Sequence, residues 1–238
     1  MKTALFSDIH GNLEALEKAV AHAVSLGVGR YMVLGDTVGY GANPNECFEW
    51  VMGNASAVLM GNHEKALTDI ELRLHFSPMA AAAIEWTAER MDTKLIAQSM
   101  KLEFKRIEKD VTFVHSSPAE PENFPYLWKY EDAVCAFKQM DTRICFIGHT
   151  HIPACFCELT KTADNLKPGI FKLPAKGKVI LNPGSVGQPR DEDPRLAFGV
   201  FDDEAQTFEV IRLEYENQKA AQKIRKTGLP RYLADRLL

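Results

Sequence analysis

The sequence contains no apolar run approaching the roughly 18 residues that a membrane helix needs. Its start, Met1-Lys2-Thr3-Ala4-Leu5-Phe6, reaches Ser7-Asp8 too soon to form the apolar region of a secretory leader. Both absences point to a cytoplasmic protein with no membrane partner. A Cys-x-x-Cys pair is also missing. Cys47, Cys135, Cys145, Cys155 and Cys157 are odd in number and unevenly spaced, which argues against a zinc-ribbon or thioredoxin-type motif and leaves buried free thiols as the reading. Basic residues are not in excess. With a net charge of −4 and a pI near 6.0, a dedicated nucleic-acid binder is disfavoured, and a polyanion would need a local cationic site such as bound metal. No repeat, low-complexity tract or linker interrupts the chain. At 46% hydrophobic and 25% charged it therefore reads as one globular domain, residues 1–238.

What the sequence does contain is a series of short apolar runs that stop at polar residues. Thr3 to Phe6 leads into Ser7-Asp8-Ile9-His10-Gly11-Asn12, and Tyr31 to Leu34 into Gly35-Asp36-Thr37-Val38-Gly39-Tyr40-Gly41. Ala57 to Met60 leads into Gly61-Asn62-His63-Glu64, Val111 to Val114 into His115-Ser116-Ser117-Pro118, and Ile144 to Ile147 into Gly148-His149-Thr150-His151. Buried parallel strands deliver polar side chains to the rim of a sheet in this way. After the first run, Asn12 can cap a helix that carries Leu13, Leu16, Val20, Ala23 and Val24 at helical spacing before Gly27. A second helix is expected from about Pro44 to Met52. Strand-helix alternation of this kind predicts a largely parallel sheet in the first half.

The stretch from Glu64 to about Met100 is rich in Ala, Met, Leu and Trp and predicts two or three helices, an insertion at 64–100 that both packs and caps a substrate cleft. Phe124, Tyr126, Trp128 and Tyr130 fall in an irregular loop, read as core or a self-association surface rather than a ligand cage, so a homo-oligomer stays open. A helix over Glu131 to Met140 follows. Beyond His151, strand follows strand: Pro153 to Leu159, Gly169 to Leu173, Lys178 to Leu181, Leu196 to Asp202 and Thr207 to Tyr215. That pattern predicts antiparallel pairing and a second sheet packed on the first. The tail, 216–238, is expected to be helical with a break at Gly228-Leu229-Pro230. Its Lys219, Lys223, Arg225, Lys226 and Arg231 read as a solvated face.

Collected, the strand-end donors are Asp8, His10, Asp36, Asn62, His115, His149 and His151. Oxygen and imidazole donors without a thiolate suit Mn, Fe, Ni or Zn and argue against a closed structural zinc site. Seven donors cannot all surround one small ion, but they serve two if a carboxylate is shared, and Asp36 in the middle cluster is the natural bridge. Two divalent ions about 3.5–4 Å apart can acidify a water between them and grip the oxygens of a phosphoryl group displaced in line. Asp8 and Asp36 offset only part of that charge, and the remainder attracts a phosphate ester.

Asp8-Ile9-His10, Gly35-Asp36 followed by Gly41, Gly61-Asn62-His63-Glu64, Val114-His115 and Gly148-His149-Thr150-His151 stand in an order that resembles the calcineurin-like metallophosphoesterase superfamily. The likeness is greatest to its small bacterial and archaeal phosphodiesterase branch and runs from about Ala4 to Arg190. The resemblance implies an α/β (α+β) fold, a four-layer α-β-β-α sandwich of two mixed sheets. It implies one metal on Asp8, His10, Asp36 and His151 and the other on Asp36, Asn62, His115 and His149. It also makes His63 the general acid near the leaving group, a task that suits an imidazole titrating near neutrality. The implied reaction is attack by metal-bridged hydroxide on a phosphodiester or phosphomonoester of a nucleotide-like or other small substrate. Dinucleoside-polyphosphate hydrolysis is a narrower variant. The alternative is a catalytically idle protein-binding scaffold on the same fold, as in the retromer subunit that resembles these enzymes but has lost part of the constellation. Here the ligand set and His63 are complete.

One departure is informative. Ser/Thr protein phosphatases of the superfamily carry Gly-Asp-x-Val-Asp-Arg-Gly, whereas Gly39 and Tyr40 stand where they have Asp and Arg, so protein phosphatase activity is not expected. Arg190 ends the loop Asn182-Pro183-Gly184-Ser185-Val186-Gly187-Gln188-Pro189-Arg190, which resembles one common in the small phosphodiesterase branch. It either supplies the missing cation against phosphate or pairs with Asp191 or Asp193. Tyr40 either stacks on a nucleobase or plugs the loop base. Glu64 either supports a ligand or opens the next helix. His22 and His75 lie outside every motif and read as structural, with His75 facing substrate only if the insertion is a cap.

Overall fold

In the computed structural model, which describes residues 1–238, the chain begins with β1 (Lys2–Phe6), α1 (Leu13–Ser25), β2 (Arg30–Val33), α2 (Pro44–Asn54) and β3 (Ala57–Val58). Next come α3 (Asn62–Ala66), α4 (Ile70–Leu74), α5 (Pro78–Arg90), α6 (Thr93–Ser99), β4 (Lys105–Glu108) and β5 (Val111–Val114). A 3₁₀ turn at Pro121–Asn123 leads to α7 (Tyr130–Gln139), β6 (Ile144–Phe146), β7 (Pro153–Cys157), β8 (Thr162–Asn165) and β9 (Gly169–Lys172). The chain ends with β10 (Val179–Pro183), β11 (Leu196–Asp202), β12 (Thr207–Leu213), α8 (Asn217–Thr227) and α9 (Arg231–Asp235). No helix is long and apolar enough to cross a membrane.

The strands form two six-stranded mixed sheets, β3-β2-β1-β11-β12-β9 and β4-β5-β6-β10-β7-β8. Period-two alternation explains how they stack. In β1, Ala4 and Phe6 enter a cluster with Leu16, Ala19, Phe48 and Val51 of α1 and α2. Leu5 faces the other way, into a cluster shared with Phe113, Ile144, Phe146, Val179 and Leu181 of the second sheet. On that sheet's far side, Cys145 and Ile180 meet Ala133, Ala136 and Phe137 of α7. The layers therefore run helix, sheet, sheet, helix, the sandwich that the family resemblance implied. Phe146 anchors the join between the sheets. It is fully buried, packs on Phe113, Phe201 and Phe208, and contributes about 3 kcal/mol by burial alone.

Three expectations need correction. The late strands do not make a sheet of their own. β11 pairs antiparallel with β1 (Lys2↔Asp202 to Leu5↔Gly199), β12 and β9 extend the first sheet, and β10 joins the second, parallel to β6. The far edge of β1, buried on both faces, cannot leave its backbone groups unpaired, and β11 satisfies them. The insertion holds four short helices, not two or three, because side-chain caps restart it. Asp69 accepts from Leu72 N–H at the head of α4, and Ser77 accepts from Ala80 N–H at the head of α5. The cysteines are all free, but only Cys47 and Cys145 are buried: Cys135 is exposed on α7, and Cys155 and Cys157 on β7 are half-buried.

The topology matters for the site because β1, β2 and β3 run parallel, as do β5, β6 and β10. In each sheet these strands end at a common edge, and the polar clusters follow those ends.

Candidate metal centre

Beyond the strand ends the backbone pairing continues. Asp8 N–H donates to Gly35 O at 3.1 Å, His10 N–H to Asp36 O at 3.0 Å, Gly148 N–H to His115 O at 2.7 Å and Gly187 N–H to Asp8 O at 2.9 Å. The loops are thereby laid side by side. Asp8, His10, Asp36, His149 and His151 all adopt φ between +50° and +68°, a left-handed conformation costing non-glycine residues about 1 kcal/mol or more. Gly61 permits a close approach, since a Cβ there would stand 2.1 Å from Asp36 Oδ1.

The seven donors named from the sequence are brought together. Asp8, His10, Asp36 and His151 form one group and Asp36, His115 and His149 a second, with the ligand atoms of each within 4.8 Å of one another. His151 Nε2 lies 3.3 Å from Asp8 Oδ1 and 3.2 Å from His10 Nε2, and His10 Nε2 lies 3.7 Å from Asp36 Oδ2. In the second group, His115 Nε2 lies 3.4 Å from Asp36 Oδ2, 3.1 Å from His149 Nδ1 and 3.2 Å from Asn62 Oδ1. Asn62 is the most exposed of the seven, at 9%.

The tautomers follow from the backbone. His10 Nδ1 is 3.0 Å from Val38 O, His115 Nδ1 2.8 Å from Leu34 O and His151 Nδ1 2.5 Å from Gln188 O. A carbonyl oxygen only accepts, so each Nδ1 carries the hydrogen and a neutral ring presents a bare lone pair at Nε2. His10 and His151 thus point two lone pairs at each other across 3.2 Å in a buried pocket. Protonation does not relieve this, because burial pushes both imidazoles well below their ordinary range, as it does that of His149. A divalent cation does, and the donor set fits one in each group. The carboxylates divide in the same field. Burial raises Asp8 to about 7, whereas for Asp36 burial is outweighed by His115 and His63, which hold it well below the usual range. His115 is the exception among the imidazoles. Burial opposes its charge, but Asp36, hydrogen-bonded to it, and Asp8 carry it to about 9.

Glu64 fulfils both of its readings. It stands in the first turn of α3, and its carboxylate also accepts four backbone N–H groups: Asp36 at 2.9 Å, Gly61 at 3.1 Å, Thr37 at 2.6 Å and Val38 at 3.2 Å. Burial and the neighbouring Asp36 raise it to about 7 against those donors. On the opposite side the 182–190 loop braces the cluster. Asn182 donates to Gly148 O at 2.6 Å and the Ser185 hydroxyl to Asp8 O at 2.8 Å.

A cavity of about 400 Å³ opens over Asp36, Asn62, His63, His149 and His151, within the size range of small-molecule sites. Leu72, His75, Phe76, Ser77 and Ala80 of the insertion form one wall, so His75 faces the cavity. The aromatic loop forms another. Tyr126 lies flat on His149 with ring centroids 3.9 Å apart, and Trp128 stacks on Tyr126 at 5.2 Å. Phe124 and Tyr126 of that loop thus line the site, a role the sequence reading did not give them, while Tyr130 packs against the α7 cluster as the core reading expected. Tyr40 packs on His10 and His63 at 4.6 and 4.5 Å, which is the plug reading, and it also lines the cavity. Arg190 pairs with neither nearby acid, since Asp191 is bound by Arg212 and Asp193 by Arg195. Instead it donates to Gln188 Oε1 at 3.3 Å and faces the cavity. His22 lies on α1 against Phe198, outside the cavity. Several wall residues escaped the sequence reading, Phe76 and Arg236 among them. Phe76 lay in a segment without a motif, and Arg236 in a tail read as solvated.

Residues 1–206 match the calcineurin-like phosphoesterase superfamily domain. The chain belongs to this superfamily. A metallophosphoesterase from Sphaerobacter thermophilus has the same structure with a TM-score of 0.90 at 34% identity, over 100% of this chain and 98% of that one. A protein of Methanocaldococcus jannaschii is 36% identical over 98% of this chain and 96% of its own length. A Pyrococcus horikoshii protein shares the fold at a TM-score of 0.82 and 18% identity, over 99% and 97% of the two chains. Members of the calcineurin-like phosphoesterase superfamily bind divalent metals, which agrees with the buried Asp/His cluster. Against that background Gly39 is distinctive. It has φ +84°, and a Cβ there would stand 2.1 Å from His63 Nδ1, a buried atom with no hydrogen-bond partner. The aspartate that Ser/Thr phosphatases carry has no room here. His63 is instead packed among His10, Tyr40 and Phe76, with Nε2 4.0 Å from Asp36 Oδ2. Burial lowers it to about 4 with Asp36 opposing, so the near-neutral titration expected from the sequence does not hold in this pocket.

Proposed function

We propose that this phosphoesterase hydrolyses a small phosphate ester, a diester or monoester of nucleotide-like size, with two divalent transition-metal ions drawn from Mn, Fe, Ni or Zn. The observation that carries this reading is the meeting of two donor groups at Asp36, with the Nε2 atoms of His10, His115 and His151 turned inward by carbonyl hydrogen bonds at Nδ1. Asp8, His10, Asp36 and His151 would hold one ion, and Asp36, Asn62, His115 and His149 the other. Bound there, the ions supply an acidified water and a positive field for the phosphoryl oxygens. The chain's own groups do the rest. Arg190 draws the phosphate in and orients it, and His63, on the cavity wall beside Asp36, is placed to protonate the departing oxygen once the negative charge of the bound substrate, added to that of Asp36, raises it from the low value that burial gives it. Phe76 and Tyr126 keep water from the reacting face, so the insertion acts as a cap.

The test combines elemental analysis with cleavage of bis-p-nitrophenyl phosphate in added Mn²⁺. The wild-type protein is expected to hold two ions per chain and to turn over. Asp36→Ala should lose metal and activity together, whereas His63→Asn should keep its metal and lose about 10²-fold or more in kcat. Two ions retained in Asp36→Ala would refute the shared carboxylate. Metal binding without turnover of any phosphate ester would favour the idle scaffold.

A further inference from the structure

The cavity carries one positive charge, beyond Arg190, that the proposed hydrolysis does not use. Its one carboxylate, Asp36, is 2% exposed and lies at the floor, whereas Arg190 is half-buried above it and Arg236 is exposed at the mouth. Arg236 follows α9 and belongs to none of the strand-end motifs. Its guanidinium donates to the Tyr232 hydroxyl at 3.0 Å and lies over that ring at 5.7 Å. It has no carboxylate within ion-pair distance, although Lys219, Lys223, Arg225 and Arg231 of the same tail each pair with Glu14, Glu216 or Asp235. A guanidinium held only by a neutral oxygen and a ring face keeps its charge and most of its N–H donors for a ligand.

The arginine is also held in place. Leu233, Ala234 and Leu237 bury with Ala220, Ala221 and Ile224 against Ala83 of the insertion, and Trp86 Nε1 donates to Thr227 O at 3.0 Å. A packed apolar cluster thus fixes the end of α9 at the mouth of the cavity.

We propose that Arg236 is a specificity-determining residue that binds a second anionic group of the substrate while the reacting phosphoryl group sits at the floor beside Asp36. The substrate class is then a phosphate ester bearing a further phosphate, as in a nucleoside bisphosphate. This assignment rests on the phosphoesterase reading above for the place of the reacting group.

Calorimetric titration of the Mn²⁺-loaded protein with adenosine 5′-monophosphate and adenosine 3′,5′-bisphosphate tests it. The bisphosphate is expected to bind about tenfold or more tighter, the scale of one charge-assisted hydrogen bond. Arg236→Gln should bring the two affinities to within about twofold, and Arg236→Lys should keep part of the preference, because it retains charge without the planar fork. Arg236 is exposed and outside the apolar cluster, so both variants should melt within about 2 °C of wild type. A preference that survives in Arg236→Gln overturns the assignment, as does equal binding, or no binding of either nucleotide, by wild type. A bisphosphate preference without Mn²⁺-dependent turnover of bis-p-nitrophenyl phosphate would instead overturn the hydrolase reading and leave the role of Arg236 standing.

Discussion

Glu64→Gln isolates what holds Asp36 in place. The Glu64 side chain is 1% exposed and accepts two N–H groups on each oxygen, Asp36 and Gly61 on Oε2, Thr37 and Val38 on Oε1. Glutamine has nearly the same shape but turns one acceptor into a donor, so either orientation of the amide leaves two buried N–H groups facing an NH₂. Each orphaned donor costs about 1–3 kcal/mol, and partial relaxation of the two loops brings the pair to about 3 kcal/mol. For a chain of this length 1 kcal/mol moves Tm by about 2–4 °C, so the variant should melt about 6–12 °C lower. Asp36 is held through its own N–H, so Mn²⁺ affinity should fall about 10–100-fold. Differential scanning calorimetry and metal titration read the two effects, with exposed Glu71→Gln on α4 as the control expected to change neither. Wild-type melting and metal affinity in Glu64→Gln would refute the reasoning. They would mean that the carboxyl is protonated in the native protein and that one oxygen already donates.

Further outcomes follow from the same geometry. Gly39→Ala places a Cβ against His63 Nδ1 at φ +84° and should cost about 1–3 kcal/mol in a thermal melt while lowering kcat with metal content unchanged. Wild-type turnover in that variant would show that the position of His63 does not matter. Chelation should destabilise the wild-type protein by about 4 kcal/mol relative to protein at a thousandfold excess of Mn²⁺ over its dissociation constant, on the order of 10 °C in Tm. No shift on chelation would count against tight metal binding by the cluster. Leu233→Ala should cost about 2–5 kcal/mol by opening a cavity in the α8–α9 cluster. It should also weaken bisphosphate binding although Arg236 is intact, which the calorimetric titration reads directly.

Much of the site was legible because its signals are local. Thr3 to Phe6, Tyr31 to Leu34 and Ile144 to Ile147 are short apolar runs, each interrupted by small or polar residues that bring a donor to a sheet rim, and Asn12 announces the next helix by capping it. What was hidden depends on pairings between residues far apart in sequence. Nothing in Leu196 to Asp202 says that it will lie against β1 rather than beside β10, because alternation fixes which side chains face inward and not which strand comes next. Arg236 is an arginine among other cations until the fold shows that Lys219, Lys223, Arg225 and Arg231 have acids, whereas it has none and lines the cavity. Tyr126 was one of four aromatics in a loop, and only its contact with His149 makes it part of the site.

The backbone of the site carries a cost that its surroundings must offset. Asp8, His10, Asp36, His149 and His151 each sit in the left-handed region, and at about 1 kcal/mol apiece they would relax if their loops were free. Hydrogen bonds from Asp8 and His10 to the neighbouring loop, and the Glu64 carboxylate under Asp36, prevent that. The donors are thus fixed before any ligand arrives, with lone pairs opposed at 3.2 Å. The strain then belongs to the protein and not to the binding step, so a cation entering the cluster gains the full electrostatic relief without first having to order the chain. A site built this way should bind metal with little change in backbone conformation, and its affinity should respond more to the bracing residues Glu64 and Asn182 than to substitutions in the cavity wall.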